Sequence, residues 1–190
     1  MNLSSLRERV YSELTEEENR YFSDTEIDRW LNIAQNKITI KVEHLKETSY
    51  LETDGSEKYE LPNDFIREFE VKLEDDFLDQ IGMEEADDTY SQYYYIWEDD
   101  LYLTEDSTGE NLYIYYYKLP EEMEEDTDTP DIPIEYQDLL VIHAVYKAKQ
   151  KDDKYEQAEF HKRDFREGLN DMLKNYTRSP MNSQWEVERI

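Results

Sequence analysis

Apolar residues recur every three or four positions near both ends of this chain and every second position in its middle. That change of period restricts the fold more than any composition figure, because it separates helices from strands. Leu3, Leu6, Val10 and Leu14 predict a first helix over about 3–14. Ser23-Asp24-Thr25-Glu26 reads as a capping box. It opens a second helix, about 24–47, with the inner stripe Ile27, Trp30, Leu31, Ala34, Ile38, Val42 and Leu45. A third helix is expected over about 134–151. Its centre, Leu139 to Ile142, is apolar on nearly every side, as in a helix enclosed by neighbours. Asp152-Asp153 caps a fourth, about 153–176, with the stripe Tyr155, Ala158, Phe165, Leu169, Met172 and Tyr176.

Residues 48–118 alternate and are rich in β-branched and aromatic types. Asp54-Gly55 predicts a tight hairpin between Tyr50-Leu51 and Tyr59-Leu61. Asp75-Asp76 turns Phe69–Leu73 back into Phe77-Leu78, and Glu98-Asp99-Asp100 turns Tyr93–Trp97 into Leu101–Leu103. Gly109 leads into the most aromatic strand, Leu112–Tyr117. Residues 119–133 hold Pro120, Pro130 and Pro133 and read as an extended, exposed connector. The expected fold is α+β: a four-helix bundle, from two N-terminal and two C-terminal helices, with a central antiparallel β insertion. One domain covers 1–176, and 177–190 is an extended C-terminal docking tail.

The formal net charge is −28 over 190 residues, and it is unevenly spread. Residues 74–131 hold 21 acids and one base, Lys118, against 17 acids and 10 bases in 1–73 and 11 acids and 10 bases in 132–190. Such a surface repels nucleic acid, whose phosphates are gripped by Lys and Arg. It attracts a basic partner, or serves as general solvation in a salty habitat. The acids singled out for an acidic surface are Asp99, Asp100, Asp106, Glu124, Glu125 and Asp126. With no cysteine there are no disulfides, thiolate zinc sites or cysteine nucleophiles, which fits assembly inside a cell. The N-terminal residues lack a signal-peptide pattern, and no stretch approaches the ~20 apolar residues of a membrane span.

Catalytic patterns are weak. Asp64, Glu70 and Lys72 resemble a metal-dependent nuclease set, but charged strand faces produce such triplets by chance. Asp126, Asp128 and Asp131 offer oxygen ligands for a hard cation without the glycine and distal glutamate of a calcium loop. His44, His143 and His161 have no His or Cys at ligand spacing, and His143 reads as a hydrogen-bonded core residue. The residues therefore imply no enzyme, no cofactor and no metal. Tyr93-Tyr94-Tyr95 and Tyr115-Tyr116-Tyr117 put aromatics on both faces of a sheet. One face covers a core, and the other needs a subunit, a sugar or charged neighbours to shield it.

Several segments in order carry a family resemblance. They are Leu6-x-x-Arg9-Val10-x-x-x-Leu14, then Phe22-Ser23-Asp24-x-Glu26-x-x-x-Trp30-Leu31-Asn32-x-Ala34-Gln35 and Leu61-Pro62-x-Asp64-Phe65. Leu112-Tyr113-Ile114-Tyr115-Tyr116-Tyr117-Lys118-x-Pro120 and Asp128-Thr129-Pro130-Asp131-Ile132-Pro133-x-x-Tyr136-x-Asp138-Leu139-Leu140 follow. Over about 3–176 the chain resembles the head-tail connector, or adaptor, proteins of tailed phages, and is similar in layout to the tubular adaptor of short-tailed phages. It is more acidic than that pattern.

The resemblance implies a virion neck protein assembled in the host cytoplasm. It implies a ring, usually dodecameric, bound to the portal protein and to the next tail or nozzle component, through which DNA passes without specific binding. The candidate partner-binding residues are Tyr115 and Tyr117 on the aromatic strand and Trp185, Val187 and Ile190, which share one face of the tail at strand period. The other readings are an acidic DNA mimic that inhibits a DNA-binding protein, a sugar-binding tail protein, and a nuclease.

Overall fold

The computed structural model describes residues 1–14, 21–84 and 91–177. Among these the chain is α+β, with four α-helices and two antiparallel sheets. It forms two compact units: a helical one, residues 1–44 and 120–190, and a β unit, Leu45–Leu119.

In the helical unit, α1 (Leu3–Leu14) buries Leu3, Leu6, Val10, Tyr11 and Leu14. α2 (Asp24–Val42) starts at the expected capping box, with Ser23 Oγ accepting from the Glu26 N–H at 3.3 Å and Glu26 Oε2 accepting from the Ser23 N–H at 3.3 Å. It ends earlier than the periodicity predicts. Glu43 takes a left-handed conformation (φ 52) and donates its N–H to the Thr39 carbonyl at 2.8 Å, which closes the helix and leaves Leu45 outside it. α3 (Asp138–Lys151) also starts late. A 3-10 turn, Ile134–Tyr136, precedes it, and Ile134 is 77% exposed. As expected, the middle of α3 is enclosed, with Leu139, Leu140, Val141, Ala144, Val145 and Ala148 all buried.

In α4 (Tyr155–Thr177), Ala158 and Met172 are buried and Phe165, Leu169 and Tyr176 pack on the core, but Tyr155 is exposed, its hydroxyl turned to Asp153. Asp152 caps the end of α3, donating its N–H to Ala148, and does not open α4. Gly168 lets α4 approach α3, since a Cβ there would overlap Leu139 Cδ2.

The β unit places two sheets face to face around one core. The first sheet has the order β1-β7-β3-β4, from β1 (Lys46–Asp54), β7 (Thr108–Lys118), β3 (Phe65–Leu73) and β4 (Asp76–Leu78). The second has the order β2-β6-β5, from β2 (Lys58–Glu60), β6 (Asp100–Leu103) and β5 (Tyr94–Trp97). Their inner faces share Tyr59, Val71, Leu73, Tyr94, Leu101, Leu103, Leu112, Ile114 and Tyr116.

The hairpin expected at Asp54-Gly55 does not form. β1 pairs with β7 (Tyr50 opposite Tyr113), whereas β2 pairs with β6 (Tyr59 opposite Leu101), so this turn carries the chain from one sheet to the other. Gly55 is needed there: its φ is +84, and its N–H donates to the Ser107 carbonyl at 2.9 Å. Gly109 (φ +76) sits where the β1–β7 register shifts, between Glu52–Asn111 and Asp54–Thr108, and so forms a bulge within β7. The β3–β4 turn is Glu74-Asp75, and the β5–β6 turn is Glu98-Asp99.

Candidate functional site

Strand period 2 divides the tyrosine run of β7. Leu112, Ile114 and Tyr116 enter the core, and Tyr113, Tyr115 and Tyr117 stand on the outer face. Register then decides their neighbours. Tyr113 lies between Tyr50 and Lys72, Tyr115 between Thr48 and Glu70, and Tyr117 between Lys46 and Arg67. Phe69, at a bulge in β3, brings its ring to 5.1 Å from Tyr117 and 6.2 Å from Tyr115.

Cations cover these rings. Lys46 Nζ is 4.9 Å from the Phe69 centroid and 5.6 Å from that of Tyr117, Arg67 is 5.2 Å from Tyr117, and Lys72 is 5.9 Å from both Tyr113 and Phe77. Phe69, Tyr113 and Tyr117 are thus partly shielded by charged neighbours. Tyr50 (57%) and Phe77 (56%) remain well exposed. Sequence reasoning identified Tyr115 and Tyr117 but missed Lys46, Arg67, Phe69 and Lys72. Strict alternation would place Phe69 with the buried Val71 and Leu73; the bulge between Glu68 and Glu70 turns it outward and brings Arg67 and Lys72, opposite Tyr117 and Tyr113, to the same face.

On the second sheet, Tyr95 and Tyr102 stack with centroids 4.8 Å apart and planes at 5°. Trp97 is half-exposed at the start of the β5–β6 turn.

The singled-out acids fall in both units. Asp99 is exposed in the β5–β6 turn, and its carbonyl accepts from the Leu61 N–H. Asp100 pairs with Lys58 at 2.7 Å, and Asp106 is exposed. Glu124, Glu125 and Asp126 are exposed on the connector of the helical unit, with Asp126 3.0 Å from Arg7.

That connector is not a loose exposed loop. Asn32 Nδ2 donates to the Met123 carbonyl at 2.9 Å, and Asn32 Oδ1 accepts from the Met123 N–H at 3.0 Å. One helical turn on, Gln35 Nε2 donates to the Glu121 carbonyl at 2.8 Å and Gln35 Oε1 accepts from the Asp131 N–H at 2.8 Å. Met123 and Ile132 enter the helical core. Arg7 joins the same region to α2, 2.9 Å from Asp28.

The weak catalytic patterns do not converge. Asp64 accepts from the Tyr116 hydroxyl at 3.0 Å, on the ring that enters the core, whereas Glu70 and Lys72 lie opposite outer-face tyrosines. Asp128 accepts from the N–H groups of Glu124 and Glu125 at 2.9 and 2.8 Å, which hold its carboxyl below the usual range. Asp131 accepts from the Glu121 N–H. These carboxylates fasten turns, and among the described residues no group of three acids or histidines could hold a metal ion.

His143 is buried in the helical core, its Nε2 accepting from Lys37 at 3.1 Å. Burial, then the Lys37 charge, pushes its pKa down to about 4. His44 donates to the Asp131 carbonyl at 2.7 Å, and His161 lies on α4 beside Phe160. Trp185, Val187, Ile190, the link Glu16-Glu17-Glu18 and most of the acidic stretch 84–88 lie outside the described residues. Among those described, no helix is long and apolar enough to cross a membrane.

No curated protein matches the chain. The family model described as SU10 adaptor protein matches residues 1–185, nearly the whole chain and all the segments of the resemblance up to its end. On that match the chain belongs to the SU10 adaptor family, a family of phage adaptor proteins.

Proposed function

We propose that this protein is a non-catalytic structural component of a tailed-phage neck, forming a ring below the portal that extends the DNA channel and docks the next tail component. The family match over residues 1–185 carries this reading. The four helices, sharing one core, act as a bundle that seats the ring, and the ring is dodecameric. The portal is one partner and the first tail or nozzle protein the other, and the ring is assembled in the host cytoplasm.

Charge supports the passage of DNA. Like charge removes the phosphate-binding contribution, so an acidic wall lets the duplex slide. Glu124, Glu125 and Asp126, displayed on a connector fastened by Asn32 and Gln35, suit such a wall. Asp99, Asp100 and Asp106 face either the channel or a basic surface on a partner. The tail, with Trp185, Val187 and Ile190, adds as a strand to a sheet edge of the portal or of a neighbouring subunit.

Mass spectrometry of purified particles tests the assignment, with the protein expected at several copies per virion. Detection only in infected-cell cytoplasm, bound to a polymerase or nuclease, would replace it with the DNA-mimic reading.

A further inference from the structure

The β unit, Leu45–Leu119, holds five basic residues. Lys58, Lys118 and Lys72 are paired with Asp100 at 2.7 Å, Glu47 at 3.4 Å and the exposed Asp75 at 3.4 Å. Lys46, Arg67 and Lys72 all stand on the outer face of the four-stranded sheet among its aromatic rings. The β5–β6 turn of the same unit has the complementary character. Trp97 is 52% exposed, and Glu98 and Asp99 after it are exposed acids.

A chain of net charge −28 repels its own copies over most of its surface. Two copies approach favourably only where cations of one meet acids of the other. Exposed aromatics at both places add apolar area that a contact would bury.

We propose that the outer face of the four-stranded sheet receives the β5–β6 turn of a second copy of this chain. Trp97 lies against the tyrosines, and Glu98 and Asp99 lie opposite Lys46 and Lys72. The two patches differ, so the contact is heterologous and repeats from copy to copy, as a closed ring requires. Taking a second copy as the occupant rests on the ring reading above. A glycan on this face would use the rings and leave the acidic turn with no role.

The absence of cysteine makes the test direct. Thr48, exposed between Lys46 and Tyr50 on β1, becomes Thr48→Cys in one full-length chain, and Asp99→Cys is placed in another. Both are mixed, oxidised with copper phenanthroline and analysed in solution at high concentration and in assembled particles. Adducts joining 48 to 99 are expected to dominate over 48–48 and 99–99. Adding Lys46→Glu and Lys72→Glu to the first chain should cut them about tenfold, and Glu98→Lys in the second should restore them. Dominant 48–48 adducts, adducts indifferent to charge reversal, or a glycan that blocks the face and leaves no 48–99 adduct would overturn the contact. Particles that carry the ring without the adduct overturn the contact and leave the adaptor reading intact. Adducts in solution from a protein missing from particles support the contact and overturn the ring reading.

Discussion

Asn32 on α2 holds Met123 of the acidic connector through both of that residue's backbone groups, at 2.9 and 3.0 Å. Asn32 is 7% exposed and Met123 3%, so water cannot replace either bond readily. Replacing Asn32 with leucine leaves a buried N–H and a buried carbonyl unsatisfied. The expected cost is about 3 kcal/mol, from ~1–3 kcal/mol for each such group. Chemical denaturation should register that loss, while Glu124→Gln on the exposed side of the same connector stays within ~0.5 kcal/mol.

His143 makes stability depend on mild acid. Its folded pKa, about 4, lies below the ordinary 6.5 because burial and the Lys37 ammonium disfavour a second positive charge. The neutral ring therefore contributes fully above pH 6.5, and its contribution is lost as pH falls toward 4, when the unfolded chain takes up the proton first. The loss is on the order of 3 kcal/mol at ~1.4 kcal/mol per pH unit. Melting curves in buffers between pH 7 and 4 should fall over this range, and His143→Gln should flatten much of the slope. A variant with the same slope as the parent would remove His143 as the cause. Carboxylates held low, such as Glu26 and Asp128, lose their share only below their ordinary values of 4.5 and 3.8.

Adjacent tyrosines of β7 should respond unequally. Tyr116→Ala empties a core site 3% exposed and removes the hydroxyl bond to Asp64, at about 3–5 kcal/mol. Tyr115→Ala, on the outer face, should cost about 1 kcal/mol in the isolated chain. Equal losses at the two positions, measured by urea titration, would contradict the assigned faces.

Much of this fold was legible in the sequence because local rules decide it. The capping box at Ser23, the apolar centre of α3 and the alternation of β7 each appear as read. What escaped was set by partners distant in the chain. Asp54-Gly55 carries hairpin chemistry, but β1 finds β7 some sixty residues away and the turn becomes a crossing between sheets. The connector reads as polar and exposed, yet amides on α2 bind its backbone, a contact that side-chain composition does not signal. The candidate surface was half visible: the tyrosines stand out as a run, whereas the cations over them come from two other strands and meet only through register.

Deleting residues 178–190 separates folding from assembly. The truncated protein should melt within a few degrees of the full chain, since the apolar stripe of α4 ends at Tyr176, and should fail to attach to portal-bearing heads. Normal attachment, or loss of folding, would remove the docking role of Trp185, Val187 and Ile190.

Cryo-electron microscopy of purified particles would show directly whether this chain forms the neck ring. The expected result is a closed ring of this chain beneath the portal, coaxial with the DNA channel, with the acids Glu124, Glu125 and Asp126 turned toward the lumen. Particles whose necks lack this chain altogether would contradict it.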